Sequence, residues 1–174
     1  KEKITIGVVG LGLMGCSITT CLLMAGHEVI AVAPLAIDLE HAGNRIREHL
    51  VNSKKEGLVK NGPGHYLKKF TLTEDYQLLK PCGLVIECTL ENLEIKKSVY
   101  QKIESSIQAD AILTSNTSAI PISILQKQTA HPERFLGLHW AEPSHTTRFL
   151  EIICGEQSDI KKGEYLYKIA HAWG

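Results

Sequence analysis

The chain has 174 residues, of which 44% are apolar and 22% charged. That length suits one domain able to bury about 70% of its unfolded surface without a disulfide or metal staple. Lys and Arg number 19 and balance 19 Asp and Glu; zero net charge argues against nucleic acid or a membrane surface as partner. The five cysteines, Cys16, Cys21, Cys82, Cys88 and Cys154, form no C-x-x-C pair or zinc spacing and read as reduced thiols of a cytoplasmic protein.

Residues 4–9 are apolar and β-branched and read as a buried strand; 13–25 read as a helix stopped by Gly26. Between Ile4 and Gly26 no residue is charged, and Lys1 and Lys3 precede the run. Signal peptides and membrane spans share that pattern. Here Gly7, Gly10, Gly12 and Gly15 interrupt it and no small-x-small cleavage site follows, so a strand and a helix that are both buried are expected.

Val29 to Val32 form a second buried strand ended by Pro34. A polar helix is expected from Asp38 to about Glu56, and Asn61-Gly62-Pro63-Gly64 is a breaker. Residues 38–69 read as a helical-hairpin insert. A weak strand at 70–73 and a short helix at 76–79 follow. Strands are expected at 84–88, 111–114, 135–139 and 150–153, and helices at 91–107, 122–127 and 159–173. Continuous apolar strands alternating with helices predict an α/β fold, a Rossmann-type doubly wound, mostly parallel sheet.

Gly10-Leu11-Gly12-Leu13-Met14-Gly15 is G-x-G-x-x-G, placed directly after a predicted strand and opening a predicted helix. Gly10 permits the tight turn, Gly12 lets the backbone approach a pyrophosphate, and Gly15 allows close helix–strand packing. The free N–H groups at the helix start attract the anion. The acid normally found at the end of the second strand, which holds the ribose hydroxyls, is absent: Val32 is followed by Ala33-Pro34. The nearest acid, Asp38, reads as too far along the chain. No Arg stands there either, so a switch to a 2′-phosphate cofactor is not signalled; with Ala33 the choice between NAD and NADP stays open, and weak NAD binding with only modest discrimination against NADP is expected.

Ligands of open α/β sheets lie beyond the carboxyl ends of the strands. Glu91-Asn92, Ser115-Asn116-Thr117-Ser118 and His139-Trp140-Ala141-Glu142-Pro143 fall there. A histidine at a strand end can take a proton from an alcohol near neutral pH, or be a satisfied core histidine. Glu151, in the otherwise apolar Phe149-Leu150-Glu151-Ile152-Ile153, needs a partner, and His139 is the candidate. His139, Glu142 and His145 lack a standard metal-ligand spacing, so no metal is expected.

Five segments in order, Val9 through Gly15, Ile86-Glu87 through Glu91-Asn92, Ser115 through Ser118, Arg134 through His139 and Leu150-Glu151-Ile152-Ile153, resemble the NAD-binding domain of the L-3-hydroxyacyl-CoA dehydrogenases, enzymes of fatty-acid oxidation. The resemblance spans about residues 4–174. It implies NAD as cofactor, an acyl-CoA-like small-molecule substrate, His139 as the base for the 3-hydroxyl, Glu151 as its orienting partner and Ser118 as a hydrogen-bond donor to the reacting oxygen. It places the loop Gly10, Leu11, Gly12, Leu13, Met14 and Gly15 around the pyrophosphate. Glu91, Lys96, Asn116, Ser118 and Glu142 take the remaining cofactor positions. Lys54 and Lys55 fall where a CoA phosphate partner or a solvated helix end would lie.

Two positions depart from the family: Ala33 replaces its strand-end acid, and Glu142 replaces an amide that helps place the nicotinamide. The family also carries a following helical domain that completes the substrate site and forms a homodimer. The resemblance therefore implies that this stretch is a fragment, inactive alone. Two other readings stay open: a dehydrogenase of another 3-hydroxy acid, such as a sugar acid, and a non-catalytic dinucleotide-binding module.

Overall fold

A computed structural model describes residues 2–147 and 149–173; Lys1 and Gly174, the ends of the unit expected over 1–174, lie outside the described residues. The strands are β1 (Thr5–Val9), β2 (Glu28–Val32), β3 (Phe70–Thr73), β4 (Leu84–Glu87), β5 (Ile112–Ser115), β6 (Phe135–Trp140) and β7 (Leu150–Cys154). They form one sheet in the order β3-β2-β1-β4-β5-β6-β7. All pairings are parallel except β6–β7, which is antiparallel. The α/β, doubly wound, mostly parallel sheet expected from the sequence is the one observed.

Strand side chains alternate between faces, and both faces are apolar. Ile6, Val8, Leu84, Ile86, Leu136 and Leu138 join Ile18 and Leu22 of α1 (Leu13–Met24), Ile46 of α2 (Ala36–Lys55) and Leu166 of α7 (Ile160–Ala170) in one core. On the opposite face Val9, Val32, Val85, Leu113 and Phe135 pack on Val99, Tyr100 and Ile103 of α4 (Leu93–Glu104) and Leu125 of α5 (Ile122–Gln126). The uncharged run from Ile4 to Gly26 is thus explained by burial, since every residue from Gly15 to Leu23 is buried. No described helix is long and apolar enough to cross a membrane.

Of two short helices, the first falls inside the 38–69 insert read as a helical hairpin, and the second was not expected. The Asn61–Gly64 breaker starts a helix rather than a loop: Pro63 is the first residue of α3 (Pro63–Leu67), where its missing N–H costs nothing. The second is α6 (Ser144–Thr147), directly after the β6 end.

The glycine turn is fixed by two contacts. Gly10 has φ +95°, and a Cβ there would stand 2.8 Å from the Cys88 backbone. Gly15 faces the Gly10 carbonyl so closely that a Cβ would lie 1.8 Å from its oxygen. A methyl at Gly15 must therefore push the α1 start off β1. Gly15→Ala should lower stability by about 3 kcal/mol, read as a fall in the urea midpoint at unchanged denaturant slope.

Candidate functional site

The strand order reverses between β1 and β4, and a cleft opens there, as the topology requires. It has two lobes that share Cys88, Thr89 and Leu90. A cavity of about 240 Å³ is lined by Gly10, Leu11, Gly12, Pro34, Leu35 and Asp38 on one side and Ile95 and Val99 on the other. A second, of about 510 Å³, is lined by Met14, Glu91, Asn116, Ser118, His139, Trp140, Ala141 and Glu142.

The smaller lobe suits the adenosine-phosphate end of a dinucleotide. No side chain caps the N-terminus of α1 at Gly12, and no acid stands in its first turn. A Cβ on Gly12 would meet no atom within 4 Å, so the backbone there borders open space. Uncapped N–H groups and the helix dipole favour a phosphate at that point, while Pro34, Leu35, Ile95 and Val99 offer an apolar slot for a flat ring.

Behind the cleft lies a fully buried carboxylate. Glu87, at the end of β4, is 0% exposed and paired with Lys96 of α4, which is 1% exposed. Its Oε1 accepts from Thr89 N–H and Thr89 Oγ1, both at 2.6 Å, and from Lys96 Nζ at 2.8 Å. Its Oε2 accepts from Ser115 Oγ at 2.7 Å and Tyr100 Oη at 3.0 Å. Lys96 also donates to the Thr89 carbonyl. This corrects the expectation for Lys96: its ammonium is turned onto Glu87, behind the cleft, and does not line it. Cys88 touches both lobes, but burial, then the Glu87 charge, push its thiol up and keep it protonated.

The loops after β4 and β5 are tied together as well. Glu91 accepts from Thr117 Oγ1 at 2.8 Å and from Ser118 N–H at 3.2 Å. Asn116 N–H donates to the Glu87 carbonyl, and Asn116 Oδ1 accepts from Trp140 N–H at 2.9 Å. The ends of β4, β5 and β6 are therefore one hydrogen-bonded rim.

His139 and Glu151 face each other directly in the β6–β7 register, with Nδ1 and Oε2 2.8 Å apart. A carboxylate only accepts, so it holds the proton on Nδ1 and leaves Nε2 as the exchanging nitrogen. The His139 side chain is 29% exposed and lines the larger lobe.

Of the residues expected at the cofactor, Gly10, Leu11, Gly12, Met14, Glu91, Asn116, Ser118 and Glu142 line the two lobes. Gly15 is a packing contact, and Leu13, 68% exposed, lines neither lobe. Lys54 and Lys55 close α2 with exposed side chains. Partial desolvation raises the Glu142 carboxyl above its ordinary range, against a hydrogen bond from Ser17 that lowers it. Sequence reasoning missed Glu87 as a hub, although a carboxylate ending an apolar strand signals a partner. It also set Asp38 aside, which lines the smaller lobe.

The segment after β6 is fastened to α1. Ser144 N–H donates to Ser17 Oγ at 2.7 Å, and Ser17 Oγ meets His145 Nδ1 at 3.1 Å. His145 stacks on His49 of α2 with ring centroids 4.5 Å apart. Burial holds both histidines below their ordinary range; for His49 the neighbouring His145 adds to it.

Two measurements test these packing statements. Lys96→Met leaves the Glu87 charge unpaired and should cost about 3–5 kcal/mol in urea unfolding, whereas Glu87→Gln combined with Lys96→Met should cost less than the single change. The stacked histidines resist protons that the unfolded chain takes up below about pH 6.5. Their contribution is full above that pH and is lost as pH falls toward their lowered folded values. The urea midpoint should drop between pH 7.5 and 5.5, less steeply in His145→Gln; an equal slope contradicts the assignment.

The family described as 3-hydroxyacyl-CoA dehydrogenase, NAD binding domain, matches residues 5–174. The 5-formyl-3-hydroxy-2-methylpyridine 4-carboxylate 5-dehydrogenase of Mesorhizobium japonicum is 35% identical over 156 residues, 88% of this chain and 49% of that protein. A probable 3-hydroxybutyryl-CoA dehydrogenase of Deinococcus radiodurans is 28% identical over 97% of this chain and 60% of its own length. Among solved structures, the 3-hydroxybutyryl-CoA dehydrogenase of Escherichia coli K12 superposes with a TM-score of 0.92 at 28% identity, over 100% of this chain and 37% of that one. The chain thus spans between about a third and three-fifths of the length of these relatives.

Proposed function

The chain belongs to the 3-hydroxyacyl-CoA dehydrogenase family as its NAD-binding domain, and from that premise we propose that its parent protein oxidises the C3 hydroxyl of a 3-hydroxyacyl thioester, reversibly, with NAD as acceptor. The observation that carries this reading is the His139–Glu151 pair, whose histidine lines the larger lobe. When bound, NAD supplies a two-electron acceptor.

The chain's own residues supply the proton chemistry. His139 takes the hydroxyl proton on Nε2, and Glu151 orients the ring and stabilises the imidazolium. Ser118, on the same lobe, hydrogen-bonds the reacting oxygen. Glu91, Asn116 and Glu142 take the nicotinamide side, and the glycine turn the pyrophosphate. Closure over an acyl-CoA-like substrate and pairing into a homodimer belong, in this reading, to the length of the relatives beyond the matched region.

A second reading, a dehydrogenase of a substrate without a thioester, is favoured by Trp140-Ala141-Glu142 in place of the family's residues and by the 35% identity to an enzyme named for a pyridine carboxylate. Charge favours the first. The larger lobe is lined by two acids, Glu91 and Glu142, and no described Lys or Arg lines it. A free 3-hydroxy acid brings a third negative charge close to them, whereas a thioester brings none.

The test is turnover of the whole protein with acetoacetyl-CoA and NADH, beside free 3-oxo acids. His139→Gln should lower kcat by about 10²–10⁴ and leave NAD binding unchanged, and Glu151→Gln should also slow turnover. Unchanged kcat in His139→Gln would make it a core histidine; turnover confined to the free acids would select the second reading.

A further inference from the structure

The family's acid after β2 is Ala33 here, and the structure shows what stands in its place. Ala33 is 4% exposed, and its N–H donates to the Thr73 carbonyl on β3. Its methyl group can accept no bond from a ribose. The chain then passes Pro34 and Leu35 and enters α2 at Ala36, so Asp38 falls in the first turn of that helix.

Four observations single out Asp38. It is the one charged side chain lining the smaller lobe, in company with Gly10, Leu11 and Gly12. It is half-buried, and among the described residues no hydrogen bond or ion pair holds its carboxylate. The neighbouring wall, Pro34, Leu35, Ile95 and Val99, is apolar and offers no other acceptor side chain. Finally, α2 is pinned to the glycine turn by Arg45, whose Nη1 reaches the Leu11 carbonyl at 3.5 Å. That contact links α2, and Asp38 with it, to the turn.

We propose that Asp38, presented by the first turn of α2, binds the adenosine ribose hydroxyls of NAD and excludes the 2′-phosphate of NADP. A carboxylate accepts from both hydroxyls of a ribose and repels a phosphate ester in the same position. The chain is therefore NAD-selective in spite of Ala33, which revises the open cofactor choice drawn from the sequence. The inference rests on the NAD-binding reading of the glycine turn.

Calorimetry with NAD, NADP and ADP-ribose separates the two. Wild-type protein should bind NAD and ADP-ribose and strongly prefer NAD to NADP. Asp38→Asn should weaken NAD and ADP-ribose by about tenfold, the scale of one lost charge-assisted bond, and should narrow or abolish the preference over NADP; Asp38→Ser should do the same. Glu40→Gln, one turn-half further along α2 and outside the cleft, controls for net charge and should change neither affinity. Adding Ala33→Asp to Asp38→Asn should restore the selectivity from the strand end.

If wild type binds NAD but Asp38→Asn keeps both affinities, or if Glu40→Gln has the same effect as Asp38→Asn, the assignment of Asp38 is wrong and the NAD reading stands. Equal binding of NAD and NADP by wild type also overturns it. If wild type binds neither NAD nor ADP-ribose, the reading of the glycine turn falls, and Asp38 with it.

Discussion

A charge with no exposure organises this cleft. Glu87 ends β4 inside the protein, and an isolated carboxylate there would cost several kcal/mol. It persists because each oxygen has partners from separate elements: Thr89 from its own loop, Lys96 and Tyr100 from α4, Ser115 from β5. Each partner is thereby fixed relative to the others. Directional bonds to one small group locate three elements more tightly than apolar packing, which tolerates small shifts. Glu91 repeats the device one loop further out, joining the β4 loop to Thr117 and Ser118. The floor and rim of the larger lobe are therefore set before any ligand arrives.

The reversal of β7 has the corresponding role at the other end. In a parallel continuation, the residue beside His139 would come from a strand running the same way, after a crossover. The antiparallel strand instead brings Glu151 back twelve residues later, directly opposite His139. Cross-strand neighbours lie about 4.5–5.5 Å apart at Cβ, which the two side chains close to 2.8 Å. The pairing is a consequence of register: a slip of one residue would turn one member to the other face. Gly137 helps hold that register, since a Cβ there would meet Ile122 at 2.7 Å and Ile153 at 3.0 Å.

Much of this was legible in the sequence, for a physical reason. Strands buried on both faces, such as β2, β4 and β5, read as apolar runs; the more exposed β3 and β7 were also locatable, as was the glycine turn between β1 and α1. His139 and Glu151 were legible because a carboxylate within an apolar strand must have a partner. Contacts that depend on how helices settle on the sheet were not. The stacking of His145 on His49 joins residues 96 positions apart, and nothing in either local pattern announces it. The orientation of Lys96 is similar: its position in α4 was clear, but whether its ammonium turned outward to the cleft or inward to Glu87 depended on the depth of burial.

Asp38 shows how sequence distance misleads where a strand passes into a helix. Extended chain advances about 3.3 Å per residue, so six residues beyond β2 would carry a carboxylate about 20 Å from the strand end. A helix advances only about 1.5 Å per residue and turns as it goes. Because α2 begins at Ala36, Asp38 has climbed less than one turn, and its side chain remains at the level of the strand ends. The separation that matters is the one left after the helix has formed. An acid that looks displaced along the chain can thus share a cavity with Gly10 and Gly12, as this one does.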